Sequence, residues 1–260
     1  MLSVLIRGVR ENDRRLLAQA ITLVESMAKP DQDMATQLLK DIHKEPMIND
    51  PIRIGICGPP GAGKSSLIES LGAIALQDEP ENKVAVLAYD PSSVIAGGSL
   101  LGDRPRMNKL SANPRCFIRP SPSAGDGAIT RSSLDTITLL QAAGYDAVLV
   151  ETVGSGQADV DVRDLVDVLV YAVTANTGDW LQAMKRGITE VADILVVTKA
   201  DIDPSATKQA LKELSSHHKT VLSISAHKDQ GIAELWKAVN SKFLNISVSF
   251  YFIEFRSAAN

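Results

Sequence analysis

The octapeptide Gly58-Pro59-Pro60-Gly61-Ala62-Gly63-Lys64-Ser65 constrains this 260-residue chain more than any other feature. It follows the apolar run Ile52–Cys57 and opens an amphipathic stretch beginning near Lys64, so the expected context is strand, loop, helix. In that context the glycines let successive main-chain N–H groups curl around a β-phosphate, and the helix N-terminus adds a favourable dipole. Lys64 reaches β- and γ-phosphate oxygens as a point charge, and the Ser65 hydroxyl is suited to Mg²⁺. Ser66 falls near the α-phosphate. Strand, spacing, Lys and Ser all agree, which predicts a nucleoside triphosphate site rather than a chance glycine-rich turn.

The rest of the chain fits an α/β fold around that loop. Apolar runs at Ile52–Cys57, Val84–Tyr89, Cys116–Ile118, Ala147–Val150, Val168–Val173, Ile194–Val197 and Val221–Ser223 read as strands. Between several of them lie helical patterns at Gly63–Ala75, Ser132–Ala143, Leu181–Val191 and Ala206–Ser215. Strand–helix alternation predicts a mostly parallel sheet flanked by helices, as in P-loop NTPases. Aromatics are only 4% of the chain, whereas Val, Ile, Leu and Ala abound, which suits buried parallel strands. Ahead of the sheet, Leu16, Leu17, Ile21 and Val24 share one helical face, with Asn12 or Asp13 as cap. After Pro30 the spacing of Met34, Leu38, Leu39 and Ile42 is again helical. These predict an N-terminal helix pair. The expected organisation is a helical segment over 1–45, a P-loop domain over 46–240 and an atypical tail over 241–260. In that tail Ile246, Val248, Phe250 and Phe252 alternate with Ser247, Ser249 and Tyr251, a strand-like pattern.

A net charge of −4 advertises no basic face for nucleic acid or an anionic membrane. The two cysteines, Cys57 and Cys116, are too far apart for a CxxC centre and too few for a disulfide scaffold. No apolar run reaches the ~20 residues that cross a bilayer, and the early acids argue against a presequence. The expected location is cytoplasmic.

A bound triphosphate calls for acidic residues near its metal ion. Asp90 ends the run Val84–Tyr89, and Glu151 ends Ala147–Val150; carboxyl ends of parallel strands are where ligands bind in open α/β sheets. Gly154, three residues past Glu151, is placed for a backbone N–H to sense a γ-phosphate. Asp103, in the glycine-bearing segment after Asp90, is a candidate for contacting Mg²⁺ through water or positioning the attacking water. Thr198-Lys199-Ala200-Asp201 follows another strand and resembles the Asn-Lys-x-Asp signature of GTPases, with Thr in place of Asn. There the Asp accepts from guanine N1–H and the 2-amino group, groups that adenine cannot match, and the Lys stem lies along the base. Ser225-Ala226-His227, after the last strand, fits a second base contact.

With these residues in place, the chain resembles the MeaB-type GTPases, also called the ArgK or LAO/AO transport ATPase lineage. The resemblance lies in GPPGAGKSSLIESL (58–71), AYDPSSVIAGGSLLGDRPRM (88–107), VETVGSGQADVDV (150–162), NTGDWLQAMKRGI (176–188) and VVTKAD (196–201). It implies hydrolysis of GTP to GDP with Mg²⁺, and service as a chaperone of adenosylcobalamin-dependent methylmalonyl-CoA mutase. It further implies Mg²⁺-shell or switch roles for Asp90, Asp103 and Glu151, and a switch over 176–187 in which Asp179 and Lys185 relay nucleotide state. Relatives of this kind dimerise through a C-terminal helical extension, where this chain ends in a Phe-rich tail. The competing readings are an ATP-using kinase or transport-associated ATPase, a metal-insertion GTPase, and a non-catalytic nucleotide-dependent scaffold.

Overall fold

The computed structural model describes residues 2–47, 50–90, 107–122, 131–152, 162–175 and 188–257; for Asp90, Pro122, Arg131, Ile188, Thr189 and from residue 246 onward it describes the main chain alone. Three helices come first: α1 (Leu2–Arg10), α2 (Arg14–Glu25) and α3 (Lys29–Ile42). The expected pair is therefore a trio. The break that separates α1 from α2 lies at Asn12, whose φ of 55° leaves the helical region, and at Asp13, whose carboxylate caps α2 by accepting from the Arg15 and Leu16 amides at 2.9 Å. Pro30 sits in the first turn of α3, where its missing N–H costs nothing. Arg10 then closes the trio: its guanidinium donates to the carbonyls of Ile42 (2.6 Å), Glu45 (3.1 Å) and Pro46 (2.7 Å), fixing the path into the sheet.

The strands are β1 (Ile52–Cys57), β2 (Val84–Asp90), β3 (Cys116–Pro122), β4 (Ala147–Glu151), β5 (Val168–Thr174), β6 (Ile194–Thr198) and β7 (Val221–Ser223). They form one sheet in the order β3-β2-β4-β1-β5-β6-β7, with every pairing parallel. Six further helices are described: α4 (Lys64–Asp78), α5 (Asn108–Ala112), α6 (Arg131–Ala142), α7 (Ile188–Val191), α8 (Pro204–Ser215) and α9 (Ile232–Ser257). Strands buried along their whole length, as β4, β5 and β6 are, need cover on both faces. Ala85, Leu87, Val148, Val150, Leu169, Val173 and Val197 point to one side, where α1–α3, α6 and α8 pack. Ile54, Ile56, Val86, Leu149, Val170 and Val196 point to the other, under α4, α5 and α9. Neighbouring residues on a strand thus feed opposite cores.

Two features tie the N-terminal helices to the sheet. Glu25 at the end of α2 accepts from the Arg119 guanidinium and, at 2.7 Å, from the Ser121 hydroxyl, both on edge strand β3. Apolar residues of α1–α3 also share a continuous core with α6. At the other terminus the strand-like expectation fails: α9 is a single helix of 26 residues that runs through 246–252. A helix already under way adds a hydrogen bond with each residue, whereas a new strand needs a free sheet edge. Among the described residues no helix is long and apolar enough to cross a membrane.

Candidate functional site

The central strand β1 lies between β4 and β5, so the loop that leaves it is flanked by the ends of both. Gly58 turns the chain with φ 140°; a β-carbon there would stand 2.2 Å from the Ala172 carbonyl oxygen, so the loop can lie against β5 only as glycine. Gly63, at φ 84°, is the N-cap of α4, and the helix begins at Lys64. Main-chain amides and the helix N-terminus therefore face the carboxyl end of the sheet, as anion binding requires. Lys64 is 8% exposed, and its ammonium donates to the Gly58 carbonyl at 2.8 Å and the Pro59 carbonyl at 3.3 Å. The loop's own oxygens hold the cation directly over the cradle.

Glu151 arrives from β4. Its register partner on β1 is Ile56, two residues short of the loop, and its carboxylate is buried. The Ser65 hydroxyl donates to Glu151 Oε1 at 2.8 Å. A loop hydroxyl and a strand-end carboxylate, 86 residues apart in sequence, thus meet at the first turn of α4. Hydroxyl and carboxylate oxygens are hard donors suited to Mg²⁺. Among the described side chains no group of three or more His, Cys, Asp and Glu gathers to hold a metal. Asp90 ends β2 beyond Ala88, which is in register with Glu151, so its main chain reaches the same rim. Asp103, Gly154, Asp179 and Lys185 lie outside the described residues.

The second half of the rim is built by β6 and β7. Lys199 has a positive φ of 56°, and its Cε lies 3.9 Å from where a β-carbon on Gly63 would stand, so the lysine stem passes beside the phosphate loop. The Ala200 amide donates to the Ile224 carbonyl at 3.0 Å, bringing the 198–201 turn against the 225–230 turn. There the Ser225 hydroxyl bonds the Asp201 carboxylate and, with help from Lys228 and His227, holds that carboxyl below the usual carboxylate range. The same Ser225 oxygen accepts from the Lys228 amide at 3.2 Å. Asp201 is consequently held as an ionised acceptor, the form that a base edge with two donors requires. Ala226 is half-buried and His227 is exposed at the tip of the turn.

Two residues do more than their sequence context suggested. Thr198 is buried, and its hydroxyl oxygen lies 2.6 Å from the Ala62 carbonyl and 3.0 Å from the Val173 carbonyl. It faces the phosphate loop rather than a base. Ser70, on α4, reaches the Ala226 carbonyl at 3.4 Å and so adds a contact between the phosphate-side helix and the base-side turn; a serine one helical turn past the loop gives no signal of this in sequence. His218, three residues past the end of α8, is half-buried. Its Nε2 is 2.8 Å from the Ala192 carbonyl and its Nδ1 3.1 Å from the Thr220 amide, so it fastens two connections at the opposite pole.

Comparison with known proteins agrees with this geometry. A family model described as methylmalonyl Co-A mutase-associated GTPase MeaB matches residues 17–249. A probable GTPase of Mycobacterium bovis is 44% identical over 248 residues, covering 90% of this chain and 73% of that protein. GTPase ArgK of Escherichia coli is 41% identical over 247 residues, with the same coverage of 90% and 73%. A crystal structure of an LAO/AO transport system kinase superposes with a TM-score of 0.73 at 31% identity, covering 99% of this chain and 84% of that one.

Proposed function

The chain belongs to the MeaB family of methylmalonyl-CoA mutase-associated GTPases, and on that premise we propose that it is a Mg²⁺-dependent GTP hydrolase that serves as a chaperone of an adenosylcobalamin-dependent methylmalonyl-CoA mutase. The observation that carries the catalytic part is the Ser65–Glu151 contact, which joins the phosphate loop to the acid at the end of β4. In this reading the main chain of residues 58–66 (Gly58 to Ser66) wraps the polyphosphate, with donors from its N–H groups other than at Pro59 and Pro60. Lys64 leaves the Gly58 and Pro59 carbonyls for the β- and γ-phosphate oxygens, exchanging one set of oxygen acceptors for a more highly charged one. Ser65, Asp90 and Glu151 would hold Mg²⁺, which when bound neutralises charge on the transferring phosphoryl group. Asp103 and the Gly154 amide are assigned to the attacking water and the γ-phosphate, and Asp179 and Lys185 to relaying nucleotide state. Catalysis then rests on positioning and electrostatics, with no covalent intermediate.

Guanine selectivity is assigned to Asp201, with the Lys199 stem along the base and the 225–227 turn at its edge. The lowered pKa of Asp201 supports this, because an unpaired ionised acceptor facing adenine is costly. Intrinsic turnover by analogy is slow, about 10⁻⁴–10⁻² s⁻¹, and rises with the partner. The deciding experiment measures phosphate release with GTP and ATP, with and without Mg²⁺, alongside co-purification with the mutase in GTP, GDP or no nucleotide. GTP-specific, Mg²⁺-dependent release with nucleotide-sensitive mutase binding is expected. Release without Mg²⁺ would remove the metal assignment, and mutase binding indifferent to nucleotide would remove the chaperone cycle.

A further inference from the structure

Glu25 stands where a carboxylate gains nothing from its own helix. It is the last residue of α2, at the negative end of the helix dipole, and no basic side chain shares that turn. Its partners come from β3 instead, 94 and 96 residues further along the chain: the Arg119 guanidinium donates to Oε2, and the Ser121 hydroxyl to Oε1 at 2.7 Å. The same guanidinium donates to the Thr22 hydroxyl oxygen, on α2, at 3.2 Å. The Arg119 and Glu25 side chains are 19% and 11% exposed and Ser121 is buried, so water and salt screen the cluster weakly.

The place where this cluster grips the sheet is specific. In register, Arg119 stands beside Leu87, Ser121 beside Tyr89 and Pro122 beside Asp90. Neighbouring strands lie about 4.8 Å apart, so Glu25 holds the strand next to the residues that carry β2 to the rim. β3 is the edge of the sheet, with β2 as its one neighbour. Its start has a separate fastening, since the Arg115 guanidinium donates to the Leu76 and Asn82 carbonyls at 2.9 Å. Glu25 fastens the other end. Apolar packing is non-directional and would join α2 to the sheet without choosing a level; the polar contacts choose the rim.

We propose that Glu25 is a positioning residue for the metal site: the latch from α2 to the end of β3 steadies the end of β2, and with it Asp90, where Asp90 can meet Mg²⁺. The inference rests on the assignment of Asp90 to the metal. Glu25 acts through β3 and β2, not by contact with the ion. The N-terminal helices thereby become part of the hydrolase, not an appendage to it.

Two measurements on the whole protein test this. The first is hydrogen exchange of the β2 main-chain amides without nucleotide or Mg²⁺. Glu25→Gln keeps the shape but removes the charge that holds Arg119; it should speed exchange at residues 87–90 about tenfold and leave β5 and β6 unchanged. The second is the Mg²⁺ concentration for half-maximal phosphate release at saturating GTP. In Glu25→Gln it should rise about three- to tenfold, below the roughly 10–100-fold typical of a group bonded to a metal ligand itself. Ser121→Ala, which keeps the ion pair, should shift both readouts less in the same direction, and serves if Glu25→Gln does not fold. Preference for GTP over xanthosine triphosphate should not move. Arg10→Met loosens the same helices by freeing the carbonyls of Ile42, Glu45 and Pro46; it should lower Tm and leave both readouts as they are. Asp90→Asn should raise the Mg²⁺ requirement at least as far as Glu25→Gln does.

No change in either readout overturns the proposal, and so does a change in one without the other; faster exchange alone would describe an anchor and nothing more. An equal Mg²⁺ shift in Arg10→Met also overturns it, as a general effect of loosening. In these cases a raised Mg²⁺ requirement in Asp90→Asn leaves the GTPase reading standing. An unchanged requirement in Asp90→Asn removes the metal assignment and this proposal together.

Discussion

The two halves of the rim proposed to hold the nucleotide are made of different material. The phosphate half is main chain and buried charge: Lys64 and Glu151 are each under a tenth exposed, and the loop is shaped by Gly58 pressed against β5. The base half is exposed side chain: Lys199 lies in solvent, and Asp201 is fixed by a single serine. Phosphates are common to every nucleotide and can be held by the backbone, whose geometry the fold dictates. Base identity needs a particular functional group, and that group can sit on a surface turn with little consequence for folding. Damage to the first half should therefore reach both stability and chemistry, whereas damage to the second should change choice of nucleotide alone.

The largest effect is expected from Lys64→Ala. Phosphate release should fall by roughly 10²–10³-fold or more, as for loss of a principal charge-stabilising donor, while circular dichroism stays native. Undiminished release in that variant would break the assignment of the phosphate half. Gly58→Ala should next cost about 2–4 kcal/mol of stability, because the new β-carbon meets a main-chain oxygen that cannot move aside without displacing β5. Thermal unfolding checks this, and an unchanged Tm would mean the loop is looser than its contact with Ala172 indicates. Asp201→Asn should leave Tm within a degree or two and move preference from GTP toward xanthosine triphosphate by at least about tenfold. A large loss of Tm there would erase the contrast between the halves. Thr198→Val, removing one buried hydroxyl but no volume, should cost about 1 kcal/mol and raise KM for GTP and ATP alike. A selective effect on GTP would instead move Thr198 into the base half.

The smallest effect is a flat one. Because Ser225 and its neighbours depress the Asp201 pKa, the carboxylate contributes its stabilisation above the ordinary Asp value near about 4 and loses it only as pH falls through the still lower folded value. Preference for GTP over xanthosine triphosphate should thus stay level between about pH 5 and 8. A titration of that preference within this window would assign selectivity to His227 or another group.

Much of this was legible in sequence because it is local. Ile52–Cys57 and the loop after it declare themselves by composition and spacing, and β1 and α4 fall as expected. Strand ends were less legible. The apolar signal in β3 stops at Ile118, yet the strand continues to Pro122, held by Glu25 from a helix 96 residues away. Prolines are tolerated there because β3 pairs on one side only. The 246–252 alternation misled for a complementary reason. Period-two spacing says which faces a strand would present, not whether an edge exists to receive it, and α9 was already extending from Ile232. In the site, Glu151 and Asp201 stood out in sequence because each directly follows an apolar strand-like run, and the Ser65 contact of Glu151 and the Ser225 contact of Asp201 are what the fold adds. The role of Thr198 could not, since it depends on β5 and the phosphate loop being neighbours.

Thr198 has one hydroxyl proton and two carbonyl oxygens within reach. Only one of them can be served at a time, so the side chain is a rotor with two docking positions. The proton can point to Ala62 or to Val173, and neither choice leaves the hydroxyl without an acceptor. An asparagine amide, with two protons on one nitrogen, would hold both oxygens together. Threonine at this position therefore keeps its buried donor served in either rotamer.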